Sequence, residues 1–382
     1  MPRFNPVFVN LSTYPIATLE AKKRRLINEG HTVYDFGTGD PIESTPQFIR
    51  DALTSAVTPN CRYPTVKGSD SVRHAISGYM KRRFGVVVDP DTQILPTAGS
   101  KEVVFHTPLL VIDAHAEDRA VIFPDPGYPA YQRGALFAGG QPHPVLLTDD
   151  HIFRPWLLPI NVLERARLLW INTPHNPSGA VTPKQDLKRI VELCQEHDIL
   201  CVSDETYADI YTTTPPHSIL ECGTQGVLAL HSLSKRSGMT GYRSGFIAGD
   251  ADIISKLVKL RSNPGLVPQS FVNAAAEVAW ADDQHVINRR KIFSVKKALF
   301  TAFFDEIGLE VIGREASLYL WVRCPAHSTS EAWADDLLNA GIVVSPGTMF
   351  GVNGGGKGYV RLAMVPTIEA CQQAIAIWRT LV

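Results

Sequence analysis

Between about residue 90 and residue 250, short apolar runs alternate with longer stretches of helical spacing. Val121-Ile122-Phe123 precedes PDPGYP, Leu168 to Ile171 precedes NTPHNPSG, Ile199 to Val202 precedes SDETY, and Gly226 to Leu230 precedes HSLSK. These runs are apolar at successive positions rather than alternating, and Pro183 to His197 between two of them has helical spacing. That pattern predicts strands buried on both faces and joined by crossover helices, so the middle of the chain is α/β with a parallel sheet. Ligands of such sheets sit beyond the carboxyl ends of the strands. The polar segments there are Ala98 to Lys101, Asp125 to Tyr131, Asn172 to Gly179, Asp204 to Tyr207 and Ser232 to Lys235.

The last hundred residues have a different rhythm. Val286 to Ile307 reads as a long amphipathic helix with cationic positions Arg289, Arg290, Lys291, Lys296 and Lys297. Strand-like Ser317 to Val322, Ile342 to Ser345 and Tyr359 to Ala363 follow, and a closing helix starts at Thr367. The expected division is 1–42 as an N-terminal arm and part of a small α+β domain, 43–280 as a large α/β domain, and 281–382 as the rest of the small domain.

Composition narrows the function classes. The 382 residues carry 37 Lys+Arg against 38 Asp+Glu, a formal net charge of -1, so no basic footprint for nucleic acid or an anionic membrane surface is present. No apolar run approaches the ~18 residues of a membrane helix, and no signal-peptide core follows Arg3. The six cysteines form no CxxC pair and no zinc-like cluster, which suits a reduced, cytoplasmic setting without a metal. The densest glycine run, Gly354-Gly355-Gly356, reads as a loop tip.

The chemistry concentrates in Ser232-Leu233-Ser234-Lys235 and the glycine-rich turn to Arg243. A lysine at the end of a buried strand suits a Schiff base with an aldehyde cofactor; Ser232, Ser234 and Arg243 suit a phosphate dianion. A basic surface loop is the plain alternative. Asp204 could pair with a protonated pyridine nitrogen and Tyr207 with a ring hydroxyl, or they could be a helix N-cap and a packed aromatic. Asn176, fixed between Pro174, Pro177 and Gly179, could bond a ring oxygen or simply shape a turn. Tyr128 could stack on a flat ring or be buried. Gly99-Ser100-Lys101-Glu102 opens a helix whose N-H groups could clamp phosphate, or forms a serine capping box. Arg361 is a charge in an apolar strand that needs a substrate carboxylate or an internal acid.

Taken in order, these motifs resemble the fold-type I, class I/II family of pyridoxal-phosphate-dependent aminotransferases over nearly the whole chain. Gly39-Asp40-Pro41 and Tyr63 ahead of Lys67-Gly68 complete the series. The resemblance implies a mostly parallel seven-stranded sheet flanked by helices, a smaller α+β domain, and a homodimer with shared active sites. It implies Lys235, Asp204 and Tyr128 as catalytic residues. Gly99, Ser100, Lys101, Tyr128, Asn176, Asp204, Tyr207, Ser232, Ser234, Lys235 and Arg243 would hold pyridoxal 5'-phosphate, joined by Tyr63 of the neighbouring subunit. Gly39, Asn176 and Arg361 would hold the substrate α-carboxylate.

Within the family, Leu11-Ser12-Thr13-Tyr14-Pro15, Asp35 to Pro41 and Gly358 to Thr367 resemble the succinyldiaminopimelate aminotransferase branch, which implies transfer between N-succinyl-LL-diaminopimelate and 2-oxoglutarate. Arg24, Lys67, Lys259 and Arg261 are candidates for the distal carboxylates of that substrate. Aspartate, alanine or broad-specificity transamination, a C-S lyase, and a regulator's sensor domain are the alternatives.

Overall fold

A computed structural model describes residues 2–11 and 15–381. Ser12, Thr13 and Tyr14 of the N-terminal motif lie outside the described residues. The strands, in chain order, are β1 Tyr34–Asp35, β2 Ile94–Thr97, β3 Ala120–Asp125, β4 Gln141–Leu146, β5 Ala166–Asn172, β6 Leu200–Asp204 and β7 Val227–Ser232. They continue as β8 Gly245–Gly249, β9 Val311–Ile312, β10 Tyr319–Arg323, β11 Ile342–Val343, β12 Ser345–Pro346 and β13 Tyr359–Ala363.

Seven of them form one sheet in the order β2-β8-β7-β6-β5-β3-β4. Only β8 runs against its neighbours; β3, β4, β5, β6 and β7 pair in parallel. The four apolar runs expected to be strands are the centres of β3, β5, β6 and β7. Every residue of β3, β6 and β7 is buried, because helices cover both sheet faces. Alternate side chains feed two cores. Ile122, Leu169, Ile171, Cys201 and Ala229 enter one; Val121, Phe123, Leu168, Trp170, Val202, Leu228 and Leu230 enter the other. Helix Lys184–Glu196 lays Leu187, Ile190, Val191 and Cys194 on the first core, the i, i+3, i+4, i+7 stripe its sequence spacing predicts.

A second sheet, β12-β13-β10-β9, is antiparallel throughout, and β1 from the N-terminal segment pairs with β11. Its core centres on Trp378, which meets Phe300, Phe303, Phe304 and Trp333 at ring distances of 5.3 to 6.4 Å. Among the described residues no helix is long and apolar enough to cross a membrane.

Two expectations are corrected. Helix Gln284–Glu306 does not turn all its cations to solvent: Arg289, Lys296 and Lys297 are buried. Lys296 pairs with Glu43, and Arg289 reaches the Glu43 and Ser44 carbonyls at 3.4 Å. The Lys297 ammonium donates to the carbonyls of Gly313 (2.6 Å) and Ala316. The helix packs against the 43–44 and 313–316 loops, so its long cationic side chains satisfy the carbonyls and carboxylate of loops it covers. The glycine run at 354–356 is not an exposed tip either, since Gly355 and Gly356 are buried against Asp125 and Gly347.

The loop held by Lys297 presses on the turn after β5. A methyl at Gly179, where φ is +71°, would come within 2.7 Å of the Gly313 Cα. Gly179→Ala should therefore cost about 1–2 kcal/mol of left-handed strain plus about 1–3 kcal/mol of overpacking. Gly30→Ala, at φ +84° with nothing within 4 Å, should carry only the first of these. Thermal unfolding of the two variants side by side checks this: Gly179→Ala should melt lower.

Candidate active site

The turns after five strands of the large sheet converge on one 490 Å³ cavity. β2 delivers Ser100 and Lys101, β3 Tyr128, β5 Asn172 and Asn176, β6 Asp204, Thr206 and Tyr207, and β7 Ser232, Ser234 and Lys235. Thr240 and Arg243 come from the turn into β8. The other wall brings Thr38, Gly39 and Asp40 from the N-terminal segment, Tyr319 from β10, Met349 and Phe350 from the loop after β12, and Arg361 from β13.

Lys235 sits in the short helix Leu233–Arg236, whose first N-H groups are capped by the Ser232 hydroxyl. Its ammonium donates to the Gly39 carbonyl. Burial pushes its pKa down to about 8; Asp40 opposes the shift, while Arg361, Arg243 and Arg289 add to it. Asp204 ends β6 fully surrounded. Its Oδ1 accepts from the Thr206 hydroxyl (2.6 Å) and N-H (3.2 Å), and its Oδ2 accepts from the Tyr131 hydroxyl at 3.0 Å. Burial nevertheless holds its carboxyl above the ordinary range, a cost that a cation in the cavity would relieve.

Arg361 does not have the internal acid that was one of its two expected partners. Among the described residues no carboxylate pairs with it; it donates to the Asn176 Oδ1 at 2.9 Å and the Gly37 carbonyl at 2.7 Å. Its guanidinium lies 4.2 Å over the Tyr319 ring and 4.5 Å over the Phe350 ring, while its buried Nε has no acceptor. A buried cation with an unsatisfied donor at a cavity wall is suited to an incoming carboxylate.

Ser100 is not a cap. The N-cap of helix Ser100–His106 is Gly99, with φ 78° and ψ 170°, and a methyl there would come within 2.5 Å of the Arg243 Nη2. Glycine thus lets the helix start lie directly against the guanidinium, and Arg243 itself takes the left-handed φ of 55°. Tyr63 is fully exposed and outside the cavity. Of the distal-contact candidates, none lines it: Arg24 and Lys259 are exposed, Lys67 bonds the Asp91 carbonyl, and Arg261 is buried on Glu102.

Four contributors were missed. Asn172 bonds the Asp204 carbonyl at 2.8 Å and accepts from the Asn176 N-H at 2.7 Å, so it sets the turn that carries Asn176. Thr206 and Tyr131 support the Asp204 carboxylate, and the Tyr319 hydroxyl meets that of Tyr207 at 3.0 Å. Thr206 was legible as a hydroxyl two residues after an aspartate, a common local turn. Tyr319 had no local signal, because it arrives from the other sheet.

Residues 31–377 match the family model described as aminotransferase class I and II. The chain belongs to that family. It is 36% identical to an LL-diaminopimelate aminotransferase of Aquifex aeolicus, with 95% of each chain covered. It is 34% identical to one of Desulforudis audaxviator, again with 95% of each covered. Among solved structures it resembles an aminotransferase from Neisseria meningitidis, at 30% identity, TM-score 0.92, and coverage of 99% of this chain and 100% of that one. It also resembles substrate-bound BacF from Bacillus subtilis, at 26% identity, TM-score 0.94, and coverage of 100% and 98%. It is a pyridoxal-phosphate-dependent aminotransferase.

The residues of this aminotransferase fit that cofactor. A buried amine, a carboxylate whose burial lacks a compensating cation, and a glycine cradle against an arginine match its aldehyde, ring nitrogen and phosphate. With a pKa near 8, Lys235 becomes a neutral nucleophile above that pH, whereas ordinary lysines do so near 10.4. In the cofactor-free protein, labelling of Lys235 by an amine-reactive reagent should rise half-maximally near pH 8, well below the pH at which exposed lysines react. Residue-resolved mass spectrometry across pH 6–11 checks this.

Proposed function

We propose that this aminotransferase moves an amino group from LL-diaminopimelate to a 2-oxo acid such as 2-oxoglutarate, as a homodimer. The observation that carries the reaction is the buried, low-pKa amine of Lys235 in one cavity with the Arg361 guanidinium, which pairs with no carboxylate among the described residues and whose Nε has no acceptor. In this reading 43–280 hold the cofactor, and 1–42 with 281–382 form the lobe that presents Arg361.

Bound pyridoxal phosphate would supply an electron sink for the charge that develops when the substrate loses its α-proton. Lys235 would hold the cofactor through its aldehyde, and its neutral Nζ, free once the substrate amine has taken its place, would be the base that takes and carries the substrate's Cα proton. Asp204, kept in place by Thr206 and Tyr131, holds the proton on the ring nitrogen. Tyr128 packs on the ring, and Tyr207 and the Asn176 amide donate to its oxygen. Gly99, Ser100, Lys101, Ser232, Ser234 and Arg243 hold the phosphate, with Tyr63 serving the neighbouring subunit's phosphate. Arg361, Gly39 and Asn176 bind the α-carboxylate.

The donor is the finer part of the reading. The names of the relatives support free diaminopimelate, whose distal end is an ammonium beside a carboxylate. The N-succinyl form replaces that ammonium with an amide and a further carboxylate; the terminal segments that resemble the succinyl branch favour it. Mixing the holoenzyme with each donor and following loss of the aldehyde-form absorbance decides between them. Rapid conversion by LL-diaminopimelate, with slow N-succinyl-LL-diaminopimelate, alanine and aspartate, is expected. Preference for the succinyl form would reverse the assignment. Lys235→Ala should lower turnover by at least about 10²–10⁴-fold; full turnover by that variant would remove Lys235 from the mechanism.

A further inference from the structure

Asp125, the last residue of β3, is buried at 1% exposure, and no cation pairs with it among the described residues. Its carboxylate accepts only backbone N-H groups: Val352 at 2.9 Å, Asn353 at 2.7 Å and Gly355 at 3.4 Å. Oriented amides of this kind replace a counterion for a buried anion. A second bond, from the Gly127 N-H to the Phe350 carbonyl at 2.8 Å, ties the same two segments together. The fit is close on the loop side. A methyl on Gly355 would come within 2.4 Å of the Asp125 Oδ1 and 2.5 Å of the Pro126 nitrogen. So the glycine run is shaped to let this loop close on the end of β3.

The loop carries Phe350, whose ring lies 4.5 Å from the Arg361 guanidinium. We propose that Asp125 is a positioning residue for the substrate carboxylate: by gripping the 352–355 amides it seats Phe350 on Arg361 and so sets the guanidinium's aim into the cavity. The proposal rests on the reading of Arg361 as the carboxylate site. Asp125 touches neither the cofactor nor the reacting atoms in this scheme, so its effect belongs in affinity and not in the chemical step.

The test uses the holoenzyme and three variants: Asp125→Asn, which keeps the shape but turns an N-H toward the amides; Gly355→Ala, which opens the same grip from the loop side; and Arg361→Lys. Calorimetric titration with glutarate, which carries carboxylates but cannot react, is read beside KM and kcat for the amino donor. Asp125→Asn and Gly355→Ala should each raise the glutarate Kd and the donor KM at least about tenfold, with kcat within about threefold of the parent.

Glutarate affinity unchanged in both while Arg361→Lys weakens it would overturn the role of Asp125 and leave the carboxylate site standing. Glutarate affinity unchanged in Arg361→Lys would overturn the carboxylate site and the proposal with it. A fall in kcat at constant Kd would also reject the proposal. If Asp125→Asn does not fold, Gly355→Ala decides; loss of cooperative unfolding in both would assign the grip to stability alone and reject a role in binding.

Discussion

The site depends on the register between β5 and β6. Parallel pairing sets Asn172 beside Asp204, and the Asn172 amide bonds the Asp204 carbonyl while its oxygen takes the Asn176 N-H. Two turns that later face one ligand are thus fixed to each other by backbone geometry. A slip of one residue would turn every side chain of the strand to the other face, moving Asp204 out of the cavity and bringing Ser203 or Glu205 into its place. Because these strands are apolar on both faces, the penalty of such a slip is one of shape: Leu200 and Val202 would exchange cores with Cys201, in interiors already closely packed.

On this frame the cavity gathers more positive charge than it neutralises. Lys101, Lys235, Arg243 and Arg361 line it, and the carboxylates that line it are Asp40 and Asp204. Burial lowers the Lys235 pKa, Arg361 and Arg243 add to the shift, and the Arg361 Nε has no acceptor, so the site is organised for anions that the chain does not itself supply. A phosphate and a carboxylate restore the balance. That is why the same groups are costly when empty and effective when filled.

Precision between the two sheets comes from contacts that only small or buried groups allow. Gly179 meets Gly313 where no side chain fits, Lys297 holds the carbonyls of that loop, and Asp125 holds the glycine run that carries Phe350. The first and third join a turn at the end of a central strand to a loop of the second sheet, and Lys297 braces the loop that Gly179 meets. The residues facing the cavity from both sheets are therefore aimed by groups that do not line it.

Much of this was legible in the chain. Unbroken apolar runs ending in polar turns identified β3, β5, β6 and β7, because a strand buried on both faces leaves that local signature. The same logic put Lys235, Asp204, Asn176 and Tyr128 at strand ends and Arg243 in the glycine-rich turn after Lys235, and the structure brings them into one cavity. What the sequence could not determine depends on neighbours far apart in the chain. Lys296 and Lys297 look like solvent-facing charges until the Glu43 carboxylate and the Gly313 carbonyl are placed beside them. Gly354 to Gly356 look like a loop tip until Asp125 arrives beneath, and Tyr319 is silent until β10 faces Tyr207. Local pattern encodes which residues are buried and which terminate a strand; only tertiary packing decides which buried charge meets which partner, because that pairing is a property of two segments and is written in neither alone.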